Sequence, residues 1–267
     1  MKPFFSIVTS VNLWNEERVT QFLRCIESVR NQVYRNFEWV VVDDGSNVDF
    51  LWKEVLDNGT IPKVKLIHKP HEERVIGYAA GFENVDGMWI TLLDSDDEYD
   101  PYYLATCANM IEENPMYKLF NFGSVHIFKD GKIMKRNAFK PKELEEGHKV
   151  FGGGNIVWGT FIFHKSVYED MGAFPPAVIE NIDCSEINYG GIRNLYMNTP
   201  YDFSAAAQME FPQLRQYFMV DHEAEPEKII KELGNPWGND HYLFLKYTRK
   251  YHSKPIDTYL YIVHQKI

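Results

Sequence analysis

Over the first hundred residues, short apolar runs alternate with stretches of helical spacing, a pattern that predicts a parallel sheet with helices on its faces. Residues 4–9 read as a first buried strand, 37–42 as a second, 64–68 as a third and 88–93 as a fourth. Between the first two, residues 17–29 place Val19, Phe22, Leu23, Ile26 and Val29 on one side of a helix. Further helices are expected over 49–56 and near 77–85. Two acidic runs, Asp43-Asp44-Gly45-Ser46 and Asp94-Ser95-Asp96-Asp97, follow the second and fourth strands directly. Open parallel sheets bind ligands outside the carboxyl ends of their strands, so both runs stand where chemistry is expected.

The second half is less regular. Residues 101–113 are helical, with Pro101 suited to the first turn. Residues 119–128 and 132–135 flank Asp130-Gly131, a hairpin signal. Gly152-Gly153-Gly154 precedes a strand at 157–163 and a short helix to Met171. From 175 to 237 the periodicity weakens among aromatic, Asn and Pro residues, with one helix expected at 226–233. Residues 240–251 then read as a helix and 256–263 as an apolar strand.

Composition narrows the function. The net charge of -10 on 267 residues argues against a nucleic-acid backbone as partner. An acidic protein that binds a nucleotide must neutralise phosphates locally, with a metal ion, a few basic side chains or helix N-termini. Cys25, Cys107 and Cys184 have no CxxC spacing, so neither a disulfide framework nor a zinc knuckle is indicated. The leading apolar run is too short for a signal peptide and no stretch is long enough to span a bilayer, which leads to the expectation of a cytoplasmic protein.

Asp94-Ser95-Asp96 after an apolar strand puts two carboxylates at the sheet edge with one residue between them. Such oxygens suit Mg²⁺ or Mn²⁺, which take a few carboxylates and complete their shell with substrate phosphates. A solvated acidic turn is the plainer alternative. The second acidic strand end, at Asp43 and Asp44, favours a single shared nucleotide site. Other nucleotide and phosphate chemistries fit less well. The loop after the first strand lacks the glycine pattern of a nucleotidyltransferase or a dinucleotide-binding dehydrogenase. The Asp-x-Asp comes too late for a haloacid-dehalogenase-type phosphatase.

The stretch 22–46, FLRCIESVRNQVYRNFEWVVVDDGS, resembles the N-terminal signature of family 2 glycosyltransferases, at Ser28, Val29, Gln32, Tyr34, Asn36, Glu38 and Asp43 to Ser46. Residues 87–101, GMWITLLDSDDEYDP, resemble the same family's metal-binding segment. The resemblance implies a GT-A fold: an α/β, mostly parallel, open twisted sheet flanked by helices, with a smaller C-terminal acceptor-side region. It implies a donor-binding half over 1–115 and an acceptor and catalytic half over 116–267 of one domain, with an insertion at 175–237.

It also implies roles. Asp43 or Asp44 would contact the nucleobase, typically uracil, and the loop carrying Thr9, Ser10, Trp14 and Asn15 would line base and ribose. Asp96 would be the principal ligand of Mn²⁺ or Mg²⁺, with Asp94 near the ribose or the metal's water shell and Ser95 between them among the donor contacts. Gly77-Tyr78-Ala79 stands where the family commonly has Ala-Arg-Asn. His264 matches a histidine that in some members approaches the metal or the diphosphate.

The family's general base is usually the Asp of a Glu-Asp pair opening a helix. Asp240, preceded by Asn239, is the expected base, and Asp183 in the 180–183 stretch is the second candidate. The implied activity is transfer of a sugar, with inversion, from a nucleoside-diphosphate donor, UDP first, to a hydroxyl acceptor. A donor-binding scaffold without turnover is the alternative. The aromatic residues of 175–237, with Trp158 and Trp237, suit either an acceptor wall or an aromatic core, and a homodimer contact is a further reading.

Overall fold

The computed structural model describes residues 3–56, 59–71, 74–138, 142–143, 149–150, 158–172, 247 and 250–265. It divides into two compact units. The first comprises Met1–Ala138, Val157–Ala173 and Lys250–Ile267; the second comprises Phe139–Ile156 and Phe174–Arg249.

In the first unit the chain runs β1 (Phe5–Val11), α1 (Glu16–Arg30), β2 (Phe37–Asp44), α2 (Trp52–Leu56), β3 (Val64–Lys69), α3 (Arg74–Glu83) and β4 (Trp89–Leu92). It continues through β5 (Glu98–Tyr99), α4 (Tyr103–Glu113), β6 (Leu119–Ile127) and β7 (Ile133–Arg136). In the second unit the described elements are the paired strands β8 (Lys142–Glu143) and β9 (Lys149–Val150). The first unit resumes with a 3₁₀ turn at Trp158–Thr160, β10 (Phe161–His164), α5 (Lys165–Met171) and β11 (Ser253–His264).

The main sheet has the order β3-β2-β1-β4-β10-β6-β11-β5, with β7 paired to β6. β1 to β4 are mutually parallel, and β11 runs parallel to β6, while β10, β7 and β5 are antiparallel insertions. Every residue of β1 and β2 is buried, as expected of parallel strands covered on both faces. This is the expected α/β architecture, and it sets the ends of β2 and β4 on either side of β1.

The signature residues at the start of the chain hold this frame together. Gln32, 2% exposed, donates to Ser28 O and Asp100 O, and its Oε1 accepts from Leu104 N–H in the first turn of α4. One amide thereby ties the end of α1 to an otherwise orphaned helix donor. Glu38 is fully buried and accepts from Ser6 Oγ and from the backbone N–H groups of Asp86 and Gly87. Burial raises the pKa of its carboxyl, but these donors and the Lys63 and Lys65 ammonium groups outweigh that and hold it below the usual range. β1, β2 and the entry to β4 are thus joined at one carboxylate.

Three details depart from the expected elements. Leu23 is 41% exposed and Cys25 is buried in its place beside Phe22, Ile26 and Val29. A residue advances about 100° round a helix, so Leu23 leaves the stripe that Phe22 begins, whereas Cys25 returns to it. The strand expected at 157–163 is shorter: Trp158–Thr160 form a 3₁₀ turn, and β10 begins only at Phe161. There Gly159 lies against the Tyr261 ring, where an added Cβ would come within 1.7 Å of it. The third is β5, an unexpected two-residue strand that pairs with β11 and closes the Asp94–Asp97 turn. The expected helix at 226–233 lies outside the described residues, as does most of 240–251, of which Tyr247 is helical and buried. Among the described residues no helix is long and apolar enough to cross a membrane.

Candidate active site

Asp43 and Asp44 end β2 opposite His68 and Lys69 of β3. Asp43 Oδ1 accepts from Ser46 N–H at 3.0 Å, the local turn that Asp favours, and Asp43 Oδ2 lies 2.8 Å from His68 Nδ1. Asp44 is held by Lys69 Nζ at 2.9 Å on one oxygen and by His71 Nδ1 at 2.8 Å on the other. Asn12, in the loop after β1, donates to Asp44 O at 2.5 Å. Gly45 has φ +69°, and a Cβ there would lie 2.4 Å from His71 N, so the turn admits only glycine. The basic residues of β3 and its following loop were not anticipated; the period-two pattern of residues 64–69 shows a strand but not which carboxylates it will face.

Of the residues expected to line base and ribose, Thr9 is fully buried and its Oγ1 accepts from Trp39 Nε1. Ser10 is 9% exposed and touches Gly77, where a Cβ would lie 2.1 Å from Ser10 Oγ. Asn15 caps α1, its side chain accepting from Arg18 N–H at 2.9 Å.

The second acidic run leaves β4 as a tight turn, with Asp97 N–H bonded to Asp94 O at 3.0 Å. Four side chains and one backbone N–H from three distant segments hold it. Tyr78 of α3 donates to Asp94 Oδ1 at 2.8 Å, from the position where the family commonly carries Arg. Arg18 of α1 reaches Asp96 Oδ2 at 3.0 Å and Ser95 Oγ at 2.7 Å. Arg24 donates to Asp96 O and pairs with Glu98. Tyr261 of β11 donates to Asp97 Oδ2 at 2.9 Å and accepts from Asp94 N–H at 3.3 Å. His264 gives its backbone N–H to Asp97 Oδ1 at 3.1 Å, while its Nε2 lies 2.5 Å from Glu98 Oε1.

The four acidic residues therefore differ in station. Asp97 is 4% exposed; burial, then the neighbouring Asp94 and Asp96 carboxylates, push its carboxyl well above the usual range. Tyr261 is pushed up likewise, by burial first and then by Asp97. The Asp96 side chain keeps 19% of its surface exposed. The backbone register places Asp43 and the start of this turn one strand to either side of β1, about 10 Å apart at ordinary strand spacing. Asp240 and Asp183 lie outside the described residues. Among the described residues no group of three or more His, Cys, Asp and Glu side chains converges on a common point.

The sequence pattern of glycosyl transferase family 2 matches residues 11–172, more than half of the chain. The chain belongs to glycosyl transferase family 2. Among its relatives is an uncharacterized glycosyltransferase of Rickettsia felis, 30% identical over 139 residues, which are 52% of this chain and 21% of that protein. Another is the Campylobacter jejuni GalNAc(5)-diNAcBac-PP-undecaprenol beta-1,3-glucosyltransferase, 26% identical over 66% of this chain and 54% of that protein. The family 2 chain thus spans between a fifth and about half of the length of these relatives. The crystal structure of S. aureus TarS 1-349 has the same fold, with a TM-score of 0.51 and 15% identity over 91% of this chain and 72% of that one.

Proposed function

We propose that this family 2 glycosyltransferase moves a sugar, with inversion, from a UDP-sugar to a hydroxyl acceptor, using Mg²⁺ or Mn²⁺. The observation that carries the reading is the pair of acidic strand ends flanking β1, one clamped by basic side chains and the other presenting a partly exposed carboxylate, Asp96.

The end of β2 suits the base: a uracil imide N–H needs an acceptor, and a carboxylate offers about four acceptor sites, so Asp43 or Asp44 serves while its basic neighbours fix its orientation. The end of β4 suits the diphosphate. Asp94 and Asp96 offer hard oxygen ligands, and Mg²⁺ or Mn²⁺ held by one or two carboxylates draws the rest of its shell from phosphates and water. When bound, such an ion would neutralise the departing nucleoside diphosphate. Asp97 is the support of this turn: its two oxygens are fixed by Tyr261 and by His264 N–H, which sets the backbone that presents Asp96. The His264 ring is directed to Glu98, so its part in metal binding requires that pair to open. Asp240, the Asp of the expected helix start, takes the acceptor's hydroxyl proton.

The test measures UDP binding and UDP release from UDP-sugars, with and without Mn²⁺. A UDP-glucose donor goes first, with a polyprenyl-diphosphate sugar as acceptor, because the C. jejuni relative is named for glucosyl transfer to such a molecule. Asp96→Ala is expected to abolish Mn²⁺-dependent UDP binding. Asp240→Asn is expected to retain it while transfer falls by about 10²–10⁴-fold. Undiminished turnover in Asp240→Asn moves the base to Asp183 or elsewhere. Metal-dependent binding without transfer favours a donor-binding scaffold, and failure to bind UDP or GDP removes the reading.

A further inference from the structure

Arg18 stands where a metal would act. Its guanidinium lies 3.0 Å from Asp96 Oδ2 and 2.7 Å from Ser95 Oγ, and its side chain is only 11% exposed. This position is built rather than incidental. Gln21 Oε1 accepts a further bond at 2.9 Å, the Trp14 ring lies 4.9 Å from the guanidinium carbon, and Asn15 caps the Arg18 backbone N–H. Yet the fork is not fully satisfied: Arg18 Nε is buried and meets no acceptor among the described residues. A guanidinium left with an unused buried donor has something to gain from a second oxyanion.

We propose that Arg18 is a resident counter-cation for Asp96, which a divalent ion must displace, and which then takes an oxygen of the nucleoside diphosphate. This rests on the reading of Asp96 as metal ligand. Four carboxylic acids within Asp94 to Glu98 need positive charge nearby when no ion is bound, and Arg18 supplies it at the carboxylate that the ion needs. A guanidinium and a divalent ion repel strongly at the few ångströms that would separate them on one carboxylate. The ion therefore binds weakly alone. With a diphosphate present, the displaced fork gains a bidentate partner, so metal and nucleotide bind with positive coupling.

The experiment titrates Mn²⁺ alone, followed by electron paramagnetic resonance of the free ion, and repeats it with saturating UDP. It compares the unmodified protein with Arg18→Gln, Arg18→Lys and Arg30→Gln. Arg30 is a cation of the same helix that pairs with Glu27 and bonds Val55 O, away from the acidic turn, so it reports the general effect of removing a positive charge. Arg18→Gln is expected to bind Mn²⁺ alone about tenfold more tightly than the unmodified protein, the factor carried by one charge-assisted hydrogen bond, and to lose most of the tightening by UDP. Arg18→Lys keeps the charge without the fork and should gain about threefold, which preserves the test if Arg18→Gln fails to fold. Arg30→Gln should change by less than about 1.5-fold. Unchanged or weaker Mn²⁺ binding in both Arg18 variants overturns the proposal, as does a gain in Arg30→Gln equal to that of the Arg18 variants. Both results leave the metal-dependent reading standing if UDP still binds with Mn²⁺; a protein that binds no Mn²⁺ with or without UDP removes both.

Discussion

Replacing Tyr261 by Phe removes one oxygen from the centre of the site and leaves the ring in place. The ring is fully buried, edge-on to Tyr99 at 5.7 Å and to Tyr103 at 6.4 Å, so its packing survives. Two hydrogen bonds are lost. The bond from Asp94 N–H is long at 3.3 Å and contributes little; the bond to Asp97 Oδ2 is 2.9 Å and serves a carboxyl that is 4% exposed. A hydrogen bond to such a group contributes about 1.5–3 kcal/mol net, and its loss leaves the bond from His264 N–H to the other Asp97 oxygen in place. The expected cost is thus about 2 kcal/mol, or a fall in Tm of about 4–8 °C for a chain of this size. Urea and thermal unfolding, with chelator present so that no metal obscures the difference, measure it directly. Tyr259→Phe is the matched control: its hydroxyl bonds Asn137 at 2.5 Å on the exposed side of the same strand, and its loss is expected to cost no more than about 0.5 kcal/mol. If Tyr261→Phe costs no more than Tyr259→Phe, Tyr261 does not hold the Asp94–Asp97 turn and the account of that turn is wrong.

His126 predicts a distinct pH dependence. It is 1% exposed, and burial, with the Arg136 charge adding, lowers it to about 4 from its ordinary 6.5. The unfolded chain therefore takes the proton first, so the stability it contributes is full above pH about 6.5 and is lost as pH falls toward 4, about 3 kcal/mol in all. In urea unfolding at pH 7 and 4.5, His126→Gln should lose less stability than the unmodified protein; equal losses would refute this. Gly77→Ala places a methyl group 2.1 Å from Ser10 Oγ, so it should cost about 1–3 kcal/mol, and Ser10→Ala should recover part of that in the double variant. Strict additivity of the two changes, read from the same unfolding curves, would show that the contact is not the cause.

How much of this was legible beforehand differs between the frame and the site. The four parallel strands, α1, the hairpin after α4 and the last strand were readable because each carries its own periodicity, and neighbouring side chains settle such elements locally. The family signature was readable too, and the structure explains part of it as framework: Gln32 and Glu38 bond backbone groups of α4 and the entry to β4. Periodicity says less where a contact from afar overrules it. The turn at Trp158–Thr160 exists beside the Tyr261 ring, about a hundred residues away in the chain, and β5 is a strand because β11 arrives to pair with it.

The sequence by itself determined that two acidic runs end apolar strands in a family 2 glycosyltransferase, because strand periodicity, strand ends and the family motif are all local features of the chain. Only the tertiary structure decided what each carboxylate meets: basic side chains at Asp43 and Asp44, a tyrosine at Asp94, a guanidinium at Asp96, and a buried hydroxyl at Asp97. Asp94, Asp96 and Asp97, close together in sequence, acquire different chemistry because their partners come from α1, α3 and β11, and the electrostatic state of a carboxyl depends on those partners and on its burial as well as on the charges beside it along the chain.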